Sequence, residues 1–286
     1  MKNLEFNTIQ NNSWIEISPA EFENIANFVY NNIGINLTDQ KMTLLMGRLQ
    51  KILKKYTLSS FSQYYQLLIN DKSGAYLSEF ANVISTNHTF FYRESDHFEY
   101  FKSNTLPELD EKLRINQAND IRIWSAGCSS GEEPYFLVML MKEYFGNRYS
   151  SLDAGILATD ISTKVLQIAT NGIYGSDRLN VLPEFYKKKY FSKLPDNNFE
   201  VTNEIKKEVT YRRFNLMNDT FPFKKQFDVI FCRNVMIYFD TPTRDTLVQK
   251  FYNHLAPGGL LFIGHSETLN KRDSNFKYIM PAVYRK

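Results

Sequence analysis

From about residue 120 to the end of the chain, short apolar runs alternate with longer helical stretches. This alternation limits the possible folds more than any other feature. Ile121–Ser125, Ala154–Ala158, Phe227–Cys232 and Leu260–Ile263 read as strands, with a last strand over 277–284. Between them, 132–145, 162–171 and 242–255 read as helices, the last begun by Thr241 and Pro242. Strand, helix, strand, helix is the pattern of an α/β fold, a parallel sheet with helices on both faces. The stretch 183–215 breaks the rhythm. It is rich in Lys and Glu, and Phe199, Val201, Ile205, Val209 and Tyr211 hint at alternation. It reads as a small antiparallel β insertion near 185–214.

The first part of the chain reads as helices only, an all-α N-terminal domain expected to span 1–86 ahead of an α/β domain over 87–286. Ser18 and Pro19 match an N-cap followed by Pro at the first helical position. Phe22, Ile25, Ala26, Val29 and Ile33 recur at helical spacing, and Gly34 is a plausible stop. A second helix over 40–55 places Met42, Leu45, Leu49 and Ile52 on one face. Lys41, Arg48, Lys51 and Lys55 fall on another, with no acid between Lys41 and Tyr56. Third and fourth helices are expected near 60–70 and 75–84.

Composition narrows the function classes. In 286 residues the net charge is only +3, which gives no support for a nucleic-acid partner. The 2 cysteines, Cys128 and Cys232, cannot build a disulfide framework, and no Cys/His cluster has zinc-site spacing, so no metal is expected. No apolar run approaches the roughly 18 residues of a membrane span. Met1 to Trp14 is polar and Asn-rich, without the apolar core of a signal peptide. A cytoplasmic protein that does not insert into membranes is expected.

Chemistry is expected at the carboxyl ends of the strands, where open α/β sheets bind ligands. The first strand runs into Trp124-Ser125-Ala126-Gly127-Cys128-Ser129-Ser130-Gly131-Glu132-Glu133-Pro134 and then a helix. Small residues let backbone pass close to a ligand. The turn is neither GxGxxG nor a P-loop. Two acids at the helix start disfavour a pyrophosphate and suit a ligand with a cationic end; alternatively they only complement the helix dipole. Asp160 ends the next strand, where a ribose hydroxyl pair is commonly met; it could equally cap the following helix. Phe227–Cys232 ends in Arg233 and Asn234, with Tyr238 four residues on. Gly264-His265-Ser266-Glu267 follows a later strand. A lone His there could titrate near neutral pH or be structural.

In this order the pieces resemble a class I S-adenosylmethionine-dependent methyltransferase, with its Rossmann-like sheet. The chain is similar to the CheR-type chemoreceptor glutamate methyltransferases along nearly its whole length. The matching segments are Asn87-His88-Thr89-Phe90-Phe91-Tyr92-Arg93-Glu94, Ala126 to Tyr135, Ala158-Thr159-Asp160-Ile161-Ser162, Phe231-Cys232-Arg233-Asn234-Val235-Met236-Ile237-Tyr238-Phe239-Asp240, and Gly264 to Glu267.

The resemblance implies S-adenosyl-L-methionine as cofactor and S-adenosyl-L-homocysteine as product. It implies that Asn87, Thr89 and Arg93 reach the cofactor and that Gly127 lines its turn. Glu132 would serve the methionine end, Asp160 the ribose, and Asn215 and Leu216 the adenine edge. Arg233 and Asn234 would line the methyl side. Arg93 and Tyr238 would orient the substrate carboxylate, and Arg48, Lys51 and Lys55 would steer the acidic methylation helices of chemoreceptors. Some family members grip a C-terminal receptor peptide through a Gly-bearing loop in the β insertion. No Gly occurs here between Gly175 and Gly258, and Lys193 to Asn198 occupies the loop, so no peptide tether is expected. A monomer is expected. The competing readings are a methyltransferase for another carboxylate or a nucleobase, and a non-catalytic cofactor-binding signalling module. Cys128 and Cys232 are expected on adjacent strands, without a disulfide in a reducing compartment.

Overall fold

The computed structural model describes residues 14–84, 88–269 and 275–286. Four helices come first: α1 (Pro19–Ile33), α2 (Met42–Lys55), α3 (Phe61–Asn70) and α4 (Ala75–Ile84). Ser18 and Glu21 form a reciprocal capping box at the start of α1, and Gly34 ends it with φ 72°. Leu45, Leu49, Ile52 and Leu53 of α2 are buried with Phe22, Ile25 and Val29 of α1 and Phe61, Tyr64 and Phe80 in one apolar cluster.

A helical run follows that the strand–helix rhythm does not announce. It consists of α5 (Ser95–Tyr100), a π-turn over Phe101–Thr105 and α6 (Leu106–Asn116). The α/β region then runs β1 (Asp120–Ala126), α7 (Glu132–Phe145), β2 (Asp153–Asp160), α8 (Thr163–Asn171), β3 (Ile173–Gly175), α9 (Glu184–Tyr190), β4 (Phe191–Lys193), β5 (Asn198–Val201), α10 (Asn203–Lys206) and β6 (Val209–Arg213). It closes with β7 (Phe227–Cys232), α11 (Thr241–His254), β8 (Leu255–Ile263), β9 (Lys277–Met280) and β10 (Val283–Arg285).

Seven strands form one sheet in the order β6-β2-β1-β7-β8-β10-β9. The pairings β6–β2, β2–β1, β1–β7 and β7–β8 are parallel; β10 runs antiparallel to both β8 and β9. Along β1, β7 and β8 the side chains alternate between two apolar layers. Ile121, Ile123, Val229, Phe231, Leu260 and Phe262 face α5, α6 and α7. Trp124, Ala126, Ile230, Cys232, Leu261 and Ile263 face Leu247, Val248 and Phe251 of α11. Burial on both faces explains why these strands read as unbroken apolar runs. From β1 the chain builds outward to β2 and β6, then returns to place β7 on the other side of β1. The crevice at that reversal is the expected ligand site of an open α/β sheet.

Three sequence expectations are corrected. The antiparallel sheet is β3-β5-β4, spanning Ile173–Val201, and Val209–Arg213 is the parallel edge strand β6, hydrogen-bonded to β2. Ile205 lies in the short α10, so the apparent alternation over 199–211 joins two strands of different sheets. The last element is a hairpin, β9 and β10, with Ala282 at φ 60° between them. Cys128 and Cys232 follow or end the paired strands β1 and β7, and both thiols are free and buried. Burial holds them well above the usual thiol range, so neither is a reactive thiolate.

The helical domain docks where the strands of the sheet end. Asn215 donates to Asn32 O at 2.6 Å, Asn36 N–H to Tyr238 O at 2.9 Å, and the Tyr30 hydroxyl to Asp240 at 2.8 Å. Gly34 is favoured at this junction by its left-handed φ of 72°, and a Cβ there would push the Met217 side chain aside. Among the described residues no helix is long and apolar enough to cross a membrane.

Candidate active site

A cleft of about 1070 Å³, counting its open mouth, lies over the carboxyl ends of β1, β2, β6 and β7. Ile33 and Ile35 of the helical domain close one side. The opposite wall carries Thr89, Phe90 and Arg93 from the segment that precedes α5. Apolar walls with a few converging charged and polar groups are the make-up of a small-molecule site.

Its floor is two loops tied together by one carboxylate. Gly127 N–H and Cys128 N–H both donate to Thr159 O, at 2.8 and 2.9 Å. Gly127 has φ 81°, and a Cβ there would strike Val235, so this turn packs against the loop after β7 with no room for a side chain. Asp160 accepts from Ser129 N–H and Ser162 N–H, each at 2.9 Å. Burial pushes its carboxyl above the usual range, against the pull of those backbone donors. The N-cap of α8 is Ser162, whose hydroxyl accepts from Val165 N–H. Asp160 is thereby relieved of the capping role, and it lines the cleft.

The wall beside Asp160 is an ionic cluster centred on Arg233. Its guanidinium meets Glu133 at 2.9 Å and Glu94 at 3.0 Å, donates to Arg93 O, and lies 5.2 Å from the Phe98 ring centroid. Glu133 also accepts from the Ser125 hydroxyl at 2.7 Å. Asn234 adopts φ 58° and donates to Glu94 at 3.1 Å. Burial would raise the Glu94 carboxyl, but Arg233 and Asn234 more than offset it and hold it below the usual range. Glu267, buried in the turn after β8, accepts from the backbone N–H groups of Gly264, Asn234 and Ile237, at 2.5, 3.1 and 3.1 Å. One carboxylate therefore fixes the loop that carries Arg233, Asn234 and Tyr238.

Behind this wall His97 is fully buried. Burial, reinforced by the Arg233 charge, lowers its pKa to about 4. The unfolded chain then binds a proton at this site from about pH 6.5 downward, while the folded chain does so only near its own pKa. Protonation of the unfolded state thus erodes stability as the pH falls across that window, by up to about 3 kcal/mol. Urea unfolding of the wild type and of His97→Phe at neutral and acid pH is expected to show a steeper acid loss for the wild type; identical slopes would contradict this assignment.

The sequence-derived candidates are distributed unequally. Thr89, Arg93, Gly127, Asp160, Asn215, Leu216, Arg233, Asn234 and Tyr238 all line the one cleft. Asn87 lies outside the described residues. Glu132 does not line it. Its carboxylate is fully buried, accepts from the Ser130 hydroxyl at 2.8 and 2.9 Å, and pairs with Arg178 at 3.2 Å. Arg178 in turn donates to Thr89 O, so Glu132 supports the wall indirectly. The acid that faces the cleft is its neighbour Glu133. Arg48, Lys51 and Lys55 stand apart from the cleft. Arg48 donates to the carbonyls of Val83 and Ile84 at the end of α4, and Lys55 pairs with Glu79 at 2.7 Å. Glu94, Glu133 and Glu267 were all within the motif segments, but only their contacts reveal what they do.

The sequence model of the CheR methyltransferase SAM binding domain matches residues 87–284, and that of the CheR methyltransferase all-alpha domain matches 20–85. The chain belongs to the CheR methyltransferase family. A chemotaxis protein methyltransferase of Borreliella burgdorferi is 46% identical over 98% of this chain and 99% of its own length. A probable chemotaxis protein methyltransferase of Rhizobium etli is 39% identical over 85% of this chain and 90% of its own. The chemotaxis protein methyltransferase of Escherichia coli is 33% identical over 94% and 92%.

S-adenosyl-L-methionine is the cofactor of the CheR family's SAM-binding domain, and the lining of the cleft fits it. Asp160 sits at the strand end where a ribose is met. Ile35, Ile161, Phe214 and Leu216 offer apolar walls for a base. Glu133 and Asp160 stand on the lining beside Arg93 and Arg233, so a ligand carrying both a sulfonium and a carboxylate meets both charges. The buried Ser129 hydroxyl, on the lining, has no hydrogen-bond partner among the described residues and is available to one.

Proposed function

We propose that this CheR-family methyltransferase esterifies glutamate side-chain carboxylates of chemoreceptors, giving the methyl esters used in chemotactic adaptation. The observation that carries this reading is that Arg93 and Tyr238, from two separate motifs, line the same cleft as Asp160. A carboxylate-binding cation and a phenol then lie in one space with the cofactor's acid.

The cofactor supplies an electrophilic methyl group. Glutamate is already ionised near pH 7, so no general base has to remove a proton. With S-adenosyl-L-methionine bound, a carboxylate oxygen would take the methyl group as its bond to sulfur breaks, giving an ester and a neutral thioether. Positioning and desolvation then account for most of the rate. Arg93, steadied by a hydrogen bond to His88 O at 2.5 Å, aligns the incoming carboxylate. Asp160 accepts the ribose hydroxyls, and the Glu133–Arg233–Glu94 cluster sets the charge of the methyl side. That acidic cluster would hold a sulfonium more strongly than the neutral product, which would assist product release.

Tyr238→Phe is expected to spare cofactor binding and slow turnover by about 10–100-fold, the effect of one hydrogen bond made in the transition state. Unchanged turnover would remove Tyr238 from the mechanism.

The basic face of α2 is proposed to steer acidic receptor helices. Because Arg48 holds the end of α4, the test uses the exposed Lys51 and Lys55. Lys51→Glu with Lys55→Glu is expected to lower the methylation rate several-fold at low salt and little at high salt; equal rates at low salt would sink the idea. The β4–β5 turn uses Asp196 and Asn197 at φ 60° and 57° where a glycine would be easiest, which supports tether-independent recognition. An isolated C-terminal receptor peptide is accordingly expected not to compete.

The activity itself is tested by incubating the protein with labelled S-adenosyl-L-methionine and receptor-containing membranes. Label on the receptor supports the proposal. Label on a small acid or a nucleic acid, or none at all, would favour the alternatives.

A further inference from the structure

Behind the ionic wall of the cleft, three ligand-type side chains converge. Glu94 stands at the N-cap of α5 and His97 three residues later, a Glu-x-x-His spacing that sets both on one side of the turn. His265 reaches in from the turn after β8. One donor atom from each lies within 4.8 Å of the other two. His97 Nδ1 is 3.6 Å from Glu94 Oε2, and the two imidazole centroids are 4.6 Å apart.

His97 is the informative member. It is fully buried, and among the described residues neither ring nitrogen has a hydrogen-bond partner. A buried polar group left unsatisfied carries a free-energy cost and requires an explanation. His265 is held differently: its Nε2 lies 2.9 Å from Asp96. A carboxylate on one imidazole nitrogen fixes the tautomer and leaves the other nitrogen as an acceptor, the arrangement that orients metal-binding histidines.

We propose that Glu94, His97 and His265 form a binding site for a divalent transition-metal ion of the zinc class. Two neutral imidazoles and one carboxylate are a zinc donor set, with a water molecule for the fourth position. Two acids, Glu94 and Asp96, face the site against one cation, Arg233, so a positive ion is favoured. Metal–ligand bonds of about 2.0–2.2 Å require the donors to draw together. The side chain of His265, 44% exposed, has the freedom to swing in.

Occupancy would draw Glu94 away from Arg233 and Asn234. On the reading of the cleft given above, that weakens cofactor binding, so the ion would act as an inhibitor. Zinc binding itself is measured without cofactor, and its failure is therefore distinct from a failure of the methyl-transfer reading.

The test titrates the chelator-stripped full-length protein with Zn²⁺ by calorimetry and with Co²⁺ by its visible d–d absorption. One ion per chain is expected, with coordination bands for cobalt. His265→Ala, a partly exposed position that leaves the core intact, is expected to bind at least about tenfold more weakly. His254→Ala, on α11 outside the cluster, is expected to bind like the wild type. Absence of stoichiometric binding, equal affinity of wild type and His265→Ala, or an equal loss in His254→Ala would each overturn the proposal.

Discussion

Replacing Arg233 with methionine is expected to lower the unfolding free energy by about 3–5 kcal/mol, the cost of stranding buried charge. The guanidinium is nearly inaccessible and lies between Glu94 at 3.0 Å and Glu133 at 2.9 Å. Methionine keeps the volume over Phe98 but leaves two carboxylates facing each other without a cation. They respond by raising their pKa above the unfolded values. The penalty is then largest at neutral pH and shrinks as the pH falls through those raised values. Urea unfolding at neutral and mildly acid pH is therefore expected to show a smaller gap between variant and wild type in acid. A gap that stays constant would assign the loss to packing. Lysine is not a rescue, because one ammonium cannot span both carboxylates as the planar fork does.

The second large effect concerns the cofactor. Asp160→Ala is expected to weaken S-adenosyl-L-methionine binding by at least about 100-fold, roughly two charge-assisted hydrogen bonds to hydroxyls at 1.5–3 kcal/mol each. The variant also frees Ser129 N–H and Ser162 N–H, so thermal melting of the cofactor-free protein must accompany the calorimetry. Asp160→Asn is the sharper variant, since it keeps the shape and removes the charge. Weak binding with a near-normal melt locates the loss at the ribose. Unchanged affinity in either variant would remove Asp160 from the binding site. Because burial raises its pKa, affinity is also expected to fail earlier in an acid titration than that of an ordinary surface carboxylate.

Local chemistry accounts for what could be read from sequence. Ser18, Glu21 and Gly34 delimit α1 through short-range hydrogen bonds and a left-handed stop, all within a few residues. Phe227–Cys232 is buried on both faces, so its apolar run coincides with β7. The failures are tertiary. Val209 to Arg213 carries an alternation that suits either sheet, and only the pairing with β2 decides between them. Glu132 and Glu133 are adjacent on a helix, about 100° apart. Which one faces the cleft depends on how α7 is rotated against Arg178 on one side and Arg233 on the other. Arg48 shares a helical face with Lys51 and Lys55, yet its length lets it reach the carbonyls ending α4. Glu94 and Glu267 sit in the motifs, but their function is to hold neighbouring groups, which no spacing rule reveals.

The proposed acceptor is a glutamate carboxylate, and the bond formed identifies it. Receptor-containing membranes are incubated with the protein and S-adenosyl-L-methionine, and the receptor is digested and sequenced by tandem mass spectrometry before and after mild base. A methyl-ester mass increment is expected on glutamate side chains, removed by base and absent with Asp160→Ala. A base-stable methyl group, or one carried by lysine, arginine or any acceptor other than a carboxylate, would contradict it.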